Sequence, residues 1–286
     1  MDYAIELKNL SKKYQDFELD KITLSIEKGT IMGFVGENGA GKTTTLKAIL
    51  NLIHVDEGNI KIFGKDHIKY EKELKNNIGV VFDEGSFHDS LNLKDVDKIL
   101  SKIYETWDSS LFFKYCQKFK LPKNKIIKEY SRGMKMKLSI TAALSHHPKL
   151  LILDEPTSGL DPMAREEILD LLLDFIQDEE HSVLISSHII GDLEKIADYI
   201  TFIHNGKIVF SENKDNLIYN YGIVRCSKSE TENLDSLHVI GTRNNRFGCE
   251  VLIDNKAEFI KHNHHVLVDT ASIEEIITFM GRGFSI

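Results

Sequence analysis

At 286 residues, with 42% hydrophobic and 28% charged side chains, the chain has an ordinary globular composition and room for one large domain plus a small one. A formal net charge of -8 with dispersed Lys and Arg argues against a nucleic-acid partner, because no basic stripe is available to follow a phosphate backbone. Three well-separated cysteines, Cys116, Cys226 and Cys249, exclude a disulfide framework closed within the chain and read as core thiols. The start MDYAIELKNL has no basic-then-apolar leader pattern and no apolar run nears the ~20 residues of a membrane span, so a cytosolic or peripheral protein is expected.

In chain order, Ala4 to Leu10 and Ile22 to Ile26 alternate apolar and polar residues, as half-buried antiparallel strands do. Tyr14 lies between them; on sequence alone it suits a base-stacking role and a packing role equally. The apolar run from Thr30 to Val35 predicts a buried strand, and Thr44 to Leu50 a helix. Between them stands GENGAGKT, Gly36 to Thr43, which fits G-x-x-x-x-G-K-[ST] in the strand-to-helix context that a phosphate-binding loop needs. Its glycines let backbone N–H groups face a polyphosphate at a helix N-terminus, Lys42 reaches the β- and γ-phosphates, and the Thr43 hydroxyl suits Mg²⁺.

Asn59 to Phe63 and Ile78 to Phe82 predict two further strands. From about 87 to 145 the pattern turns helical, over Leu93 to Tyr104, Ser109 to Phe119 and Ser131 to Leu144, with Pro122 as a break: a helical subdomain inserted in an α/β core. Ser131 is an N-cap candidate in YSRGMKMKL, with Gly133 in the first turn. The strand Leu150 to Leu153 ends in Asp154-Glu155, which places two carboxylates at the strand edge where such folds bind ligands. Asp154 is placed for a metal shell and Glu155 for activating water.

Asp161 and Pro162 are cap and first-turn signals for a helix from Met163 to Gln177. Ser182 to Ser186 is another buried strand, followed by His188. Asn205-Gly206 marks a hairpin that closes the large domain, assigned to residues 1–212. Residues 213–286 read as a small α/β accessory domain, with helices at Lys214 to Tyr219 and Ser272 to Met280 and strands at Gly222 to Ser227, Gly248 to Ile253 and Val266 to Asp269. His262, His264 and His265 lack a helical i, i+4 pair or an acidic partner and are read as surface loop rather than metal ligands.

The order GENGAGKT, YSRGM, LLILDEP, SGLD and a histidine after a strand resembles the nucleotide-binding subunit of an ABC transporter over roughly residues 1 to 215. The resemblance implies a P-loop NTPase ABC cassette: a mainly parallel core sheet, an antiparallel N-terminal sheet and a helical subdomain. It implies ATP and Mg²⁺ as ligands, with Tyr14 as the adenine-stacking aromatic. Gly36, Asn38, Gly39, Ala40, Gly41, Lys42, Thr43 and Thr44 would form the Walker A loop. Asp154 would be the Walker B aspartate, Glu155 the catalytic glutamate and His188 the switch histidine, with Lys42 completing the catalytic set and Asp161 ending the D-loop. Ser131 and Gly133 would belong to the signature that meets the γ-phosphate of an opposite subunit, so a second ATP-binding subunit, the same chain or a paralogue, is implied.

Two departures stand out. SRGM replaces the usual LSGGQ, so Arg132 stands for a glycine and Met134 for a glutamine; and Asp83 stands where the Q-loop glutamine belongs, its carboxylate a third metal candidate beside Thr43 and Asp154. Both substitutions resemble a subgroup of Gram-positive exporter ATPases that includes those serving antibiotics, peptides and phenol-soluble modulins. The expected role is therefore an ATPase at the cytoplasmic face of the membrane, driving export of a peptide, antibiotic or lipid through a separate integral permease without touching the cargo. The segment from Asp83 to Tyr104 would dock the permease, with Phe87 either a contact or a packing residue. The alternative, a soluble ABC-family ATPase acting on ribosomes or DNA, usually carries two cassettes or a long coiled-coil insertion, and neither is visible.

Overall fold

The computed structural model describes residues 2–83, 87–231, 234, 237–244, 248–264 and 266–281. The chain divides into two compact units, Met1–Ile208 and Val209–Ile286.

The first unit begins with β1 (Tyr3–Lys13), β2 (Glu18–Glu27), β3 (Ile31–Val35), α1 (Lys42–Ile49), β4 (Glu57–Ile62), β5 (Lys65–Asp66), α2 (Glu71–Lys75) and β6 (Ile78–Val81). Three helices follow, α3 (Leu93–Ile103), α4 (Ser109–Lys118) and α5 (Arg132–Leu144), with a 3₁₀ turn at Ile127–Glu129 before the last. Then come β7 (Leu150–Asp154), α6 (Pro162–Phe175), β8 (Ser182–Ser187), α7 (Ile190–Ile196), β9 (Tyr199–His204) and β10 (Lys207–Asn213), which begins in the first unit and runs past its last residue, Ile208.

Two sheets result. One is antiparallel, in the order β2-β1-β4-β5, and the other runs β10-β9-β3-β8-β7-β6. From β9 to β6 the second sheet is parallel. Every residue of β3, β7 and β8 is buried, which is why these strands read as unbroken apolar runs: a parallel strand is covered on both faces. In β2, by contrast, Leu19, Ile22, Leu24 and Ile26 are buried among exposed neighbours, the signature of a strand with one wet face. Met32, Phe34, Leu46, Ile152 and Leu184 share one apolar core with Leu7, Leu24 and Ile60 of the antiparallel sheet. Each such side chain contributes about 1.5–3 kcal/mol by leaving water.

Caps set where the inserted helices begin. Asn92 and Asp95 form a reciprocal capping box on α3, Asp108 accepts from Leu111 N–H on α4, and Ser131 accepts from Met134 N–H on α5. The end of α5 approaches β6 so closely that a Cβ on Gly79 would stand 2.9 Å from the Ala143 carbonyl oxygen. The helical insertion is thereby tied to the sheet.

The second unit holds α8 (Lys214–Asn220), β11 (Gly222–Cys226), α9 (Lys228–Thr231), β12 (Val239–Asn244), β13 (Cys249–Ile253), α10 (Lys256–His262), β14 (Val268–Thr270) and α11 (Ile273–Gly281). Its antiparallel sheet, β12-β13-β11-β14, packs Val224, Val251, Ile253 and Phe259 into a small core. Three elements here, α9, β12 and α10, have no counterpart in the sequence reading, all being too short to declare a period. His262 is the last residue of α10, capped by Asn255, rather than part of a loop; His264 is exposed beyond it and His265 lies outside the described residues. Cys116 and Cys249 are buried thiols, but Cys226 is only half-buried because it ends its strand. Cys226 and Cys249 stand opposite each other in the sheet register, and both are free.

Candidate functional site

Parallel pairing brings the ends of β3, β8, β7 and β6 to one edge, with Val35 opposite Ser187, Asp154 opposite Ser186 and Val81 opposite Leu153. Four segments therefore leave the sheet side by side: the Gly36–Gly41 loop, the residues after Val81, Glu155 onward, and His188. This topology, more than any motif alone, assembles the site.

The loop after β3 turns into α1 at Gly41, whose φ of +114° no L side chain adopts readily; a Cβ there would also meet Leu19 Cδ2 at 2.6 Å and Phe17 Cζ at 2.9 Å. Helix α1 consequently starts at Lys42, two residues before the predicted Thr44, and presents its first-turn N–H groups to the loop. Lys42 is buried and donates to the Gly36 carbonyl oxygen at 2.7 Å and the Glu37 carbonyl oxygen at 3.3 Å. Asn38 and Gly39 sit exposed on the rim, Ala40 is buried beneath it, and Thr44 is half-buried in the first turn.

Two motifs 111 residues apart meet at Asp154. The Thr43 hydroxyl donates to Asp154 Oδ2 at 2.7 Å, and the Ser186 hydroxyl donates to Asp154 Oδ1 at 2.5 Å. Glu155 follows in the left-handed region, φ 52°, a costly backbone for a non-glycine residue. It is held there by its own N–H, which donates to the carbonyl oxygen and the hydroxyl of Ser186, each at 3.1 Å. Its carboxylate is shared: Oε1 lies 3.3 Å from Lys42 Nζ, while Oε2 accepts from His188 Nδ1 at 2.7 Å and from the His188 backbone N–H at 3.2 Å. With Glu155 ionised, Nδ1 of His188 carries the proton of that bond.

Lys42, Thr43, Asp154, Glu155 and His188 are thus brought together. Ser186 joins them, a residue whose role the sequence did not reveal, since a serine at a strand end carries no signal until the neighbouring strand is known. The remaining candidates have other partners. Tyr14 is exposed, with Lys12 Nζ 5.6 Å from its ring centroid and its N–H donating to the Phe17 carbonyl oxygen; Phe17 itself lies against Gly41 of the phosphate loop. Asp161 caps α6 through Ala164 N–H at 3.0 Å. Ser131 caps α5, and Gly133 faces Leu160 and Ala164. Asp83, the third metal candidate, is not joined to Thr43 and Asp154; its carboxylate is bonded to Arg132 at 2.5 Å.

An electrostatic nest after a parallel strand, a lysine, and a hydroxyl–carboxylate pair beside an oriented glutamate define a P-loop ATPase. The family model described as ABC transporter matches residues 19–158, and one described as AAA domain, putative AbiEii toxin, Type IV TA system, matches residues 126–191. The bacitracin transport ATP-binding protein BcrA of Enterococcus faecalis is 37% identical over 216 residues, covering 74% of this chain and 70% of that protein. The lantibiotic transport ATP-binding protein SrtF of Streptococcus pyogenes is 33% identical over 214 residues, covering 74% of this chain and 91% of its own. A solved ATP-binding subunit of an ABC transporter superposes with a TM-score of 0.67 at 25% identity, over 76% of this chain and 92% of that one. The chain belongs to the ABC transporter ATP-binding proteins: it binds nucleotide and hydrolyses ATP.

Proposed function

We propose that this ATPase powers export through a separate integral membrane permease, working as a pair with a second ATP-binding subunit at the cytoplasmic face of the membrane. The observation that carries the reading is the union of Thr43, Asp154, Glu155 and His188 at one sheet edge, in a chain where no helix among the described residues is long and apolar enough to cross a membrane. The relatives named for bacitracin and lantibiotic transport favour a peptide antibiotic or a similarly amphipathic cargo. In this reading residues 1–212 are the cassette and residues 213–286 an accessory domain.

The residues present fit Mg²⁺ and ATP. Thr43 and Asp154 offer a hydroxyl and a carboxylate one hydrogen bond apart, hard oxygen donors of the kind Mg²⁺ takes, and would hold it. When bound, the ion would offset charge on the phosphate oxygens. Lys42 leaves Glu155 for the phosphates; Glu155 then takes the proton of the attacking water as the terminal P–O bond breaks and ADP departs, with His188 keeping the carboxylate aimed. Ser131 and Gly133, whose described contacts are with α5 itself, Leu160 and Ala164, are left to serve a second subunit's nucleotide.

For the permease, the first unit has an apolar groove of about 510 Å³ lined by Leu50, Leu52, Val80, Phe82, Ile103 and Tyr104 and rimmed by Lys72, Lys75 and Glu105. Leu52 and Ile103 are more than half exposed in it. A short amphipathic helix of a membrane partner suits such a surface. Co-expression with candidate integral membrane partners, membrane extraction and affinity capture test the reading. Capture of a permease, lost on Ile103→Asp with nucleotide binding intact, is expected; a chain that never leaves the soluble fraction refutes it.

A further inference from the structure

The two departures from the family pattern are each other's partner. Arg132 Nη2 lies 2.5 Å from Asp83 Oδ1 across 49 residues of sequence. The same guanidinium lies over the loop that follows β7: a Cβ on Gly159 would stand 2.7 Å from Arg132 Nη1 and 3.0 Å from its Cζ. Next along, a Cβ on Gly133 would meet Leu160 and Ala164 at ordinary contact distance. One side chain at the start of α5 therefore touches both loops that leave β6 and β7, and those strands are adjacent in the sheet.

From this geometry we infer that Arg132 is a positioning residue, a clasp that holds the Asp83 carboxylate away from the phosphate site and ties α5 to the loop at Gly159. This rests on the P-loop reading above. The physical reason is charge. Asp83 follows β6 at the edge that already carries Asp154 and Glu155, and a polyphosphate adds several more negative charges there. An unpaired carboxylate at that edge would oppose nucleotide binding; one neutralised and held by a guanidinium does not. Both partners are about half exposed, so the ion pair contributes little to folding stability, and its effect falls on the site instead.

The test is equilibrium binding of a fluorescent ATP analogue with Mg²⁺ to the full chain, at low and high salt, for Arg132→Gly, Arg132→Lys, Asp83→Asn and the double variant Asp83→Asn/Arg132→Gly. Arg132→Gly should weaken binding about tenfold at low salt and distinctly less at high salt, because screening removes the repulsion. Arg132→Lys should retain most of the affinity, and Asp83→Asn in the Arg132→Gly background should restore it to within about twofold, with thermal midpoints nearly unchanged throughout. Wild-type affinity in Arg132→Gly, or additive effects of the two substitutions, overturns the clasp. Lys42→Ala separates the two levels of inference: if it binds the analogue like wild type, the phosphate-loop reading itself fails. If it loses binding while Arg132 and Asp83 show no coupling, only the clasp fails.

Discussion

Lys42 and Glu155 are bound to each other, Nζ to Oε1 at 3.3 Å, both nearly closed off from solvent. The phosphate-loop lysine is thus neutralised by the carboxylate that would act as the base, and nucleotide must displace one from the other. Glu155→Gln removes that competition. It should bind ATP at least as tightly as wild type while turning over roughly 10²-fold or more slowly, the usual cost of losing a positioned general base. Lys42→Ala should lose affinity. Steady-state hydrolysis and equilibrium binding, measured on both variants, separate the roles; unchanged turnover in Glu155→Gln would remove Glu155 from the chemistry.

Ser186 supports two neighbours at once, donating to Asp154 Oδ1 and accepting from Glu155 N–H. Ser186→Ala should therefore raise the Mg²⁺ concentration needed for half-maximal ATPase activity by about 10–100-fold, the range typical of lost supporting contacts around a metal ligand. The protein should stay folded, since a small side chain replaces another. A Mg²⁺ titration that superposes on wild type would show that Asp154 needs no such support.

Burial pushes the His146 imidazole below its ordinary value of 6.5, against a partly opposing bond to the Ile78 carbonyl oxygen, and His67 is lowered for the same reason. The unfolded chain then binds protons more readily than the folded one over this range. Stability contributed by the neutral rings is full above the unfolded value and declines as pH falls below it. The melting midpoint should drop between about pH 7.5 and 5, a range above that of carboxylates such as Asp108, which is held below its ordinary value chiefly by the Leu111 N–H bond. His146→Gln should flatten that slope, and parallel slopes in the two proteins would assign the effect elsewhere.

Burial also pushes the Cys116 thiol up to about 12. Only about 10⁻⁴ of it is thiolate at pH 8, and thiolate is the reactive form. Iodoacetamide applied to the native protein should modify half-buried Cys226 well before Cys116, as peptide mass spectrometry would register; early labelling of Cys116 would contradict its burial.

Local chemistry determined much of this protein from sequence. A nest that needs Gly41, a lysine and a hydroxyl in consecutive positions must be contiguous, and buried parallel strands must be apolar throughout, so GENGAGKT and LLILDEP were legible at once. Caps at Ser131 and Asp161 were legible for the same reason, each acting within three residues of itself. Only the tertiary structure decided that Ser186 serves Asp154, that Phe17 lies against Gly41 of the phosphate loop, and that Asp83 pairs with Arg132. Those partnerships depend on which strands are neighbours and where a long side chain turns, and neither property leaves a period or a spacing in the chain.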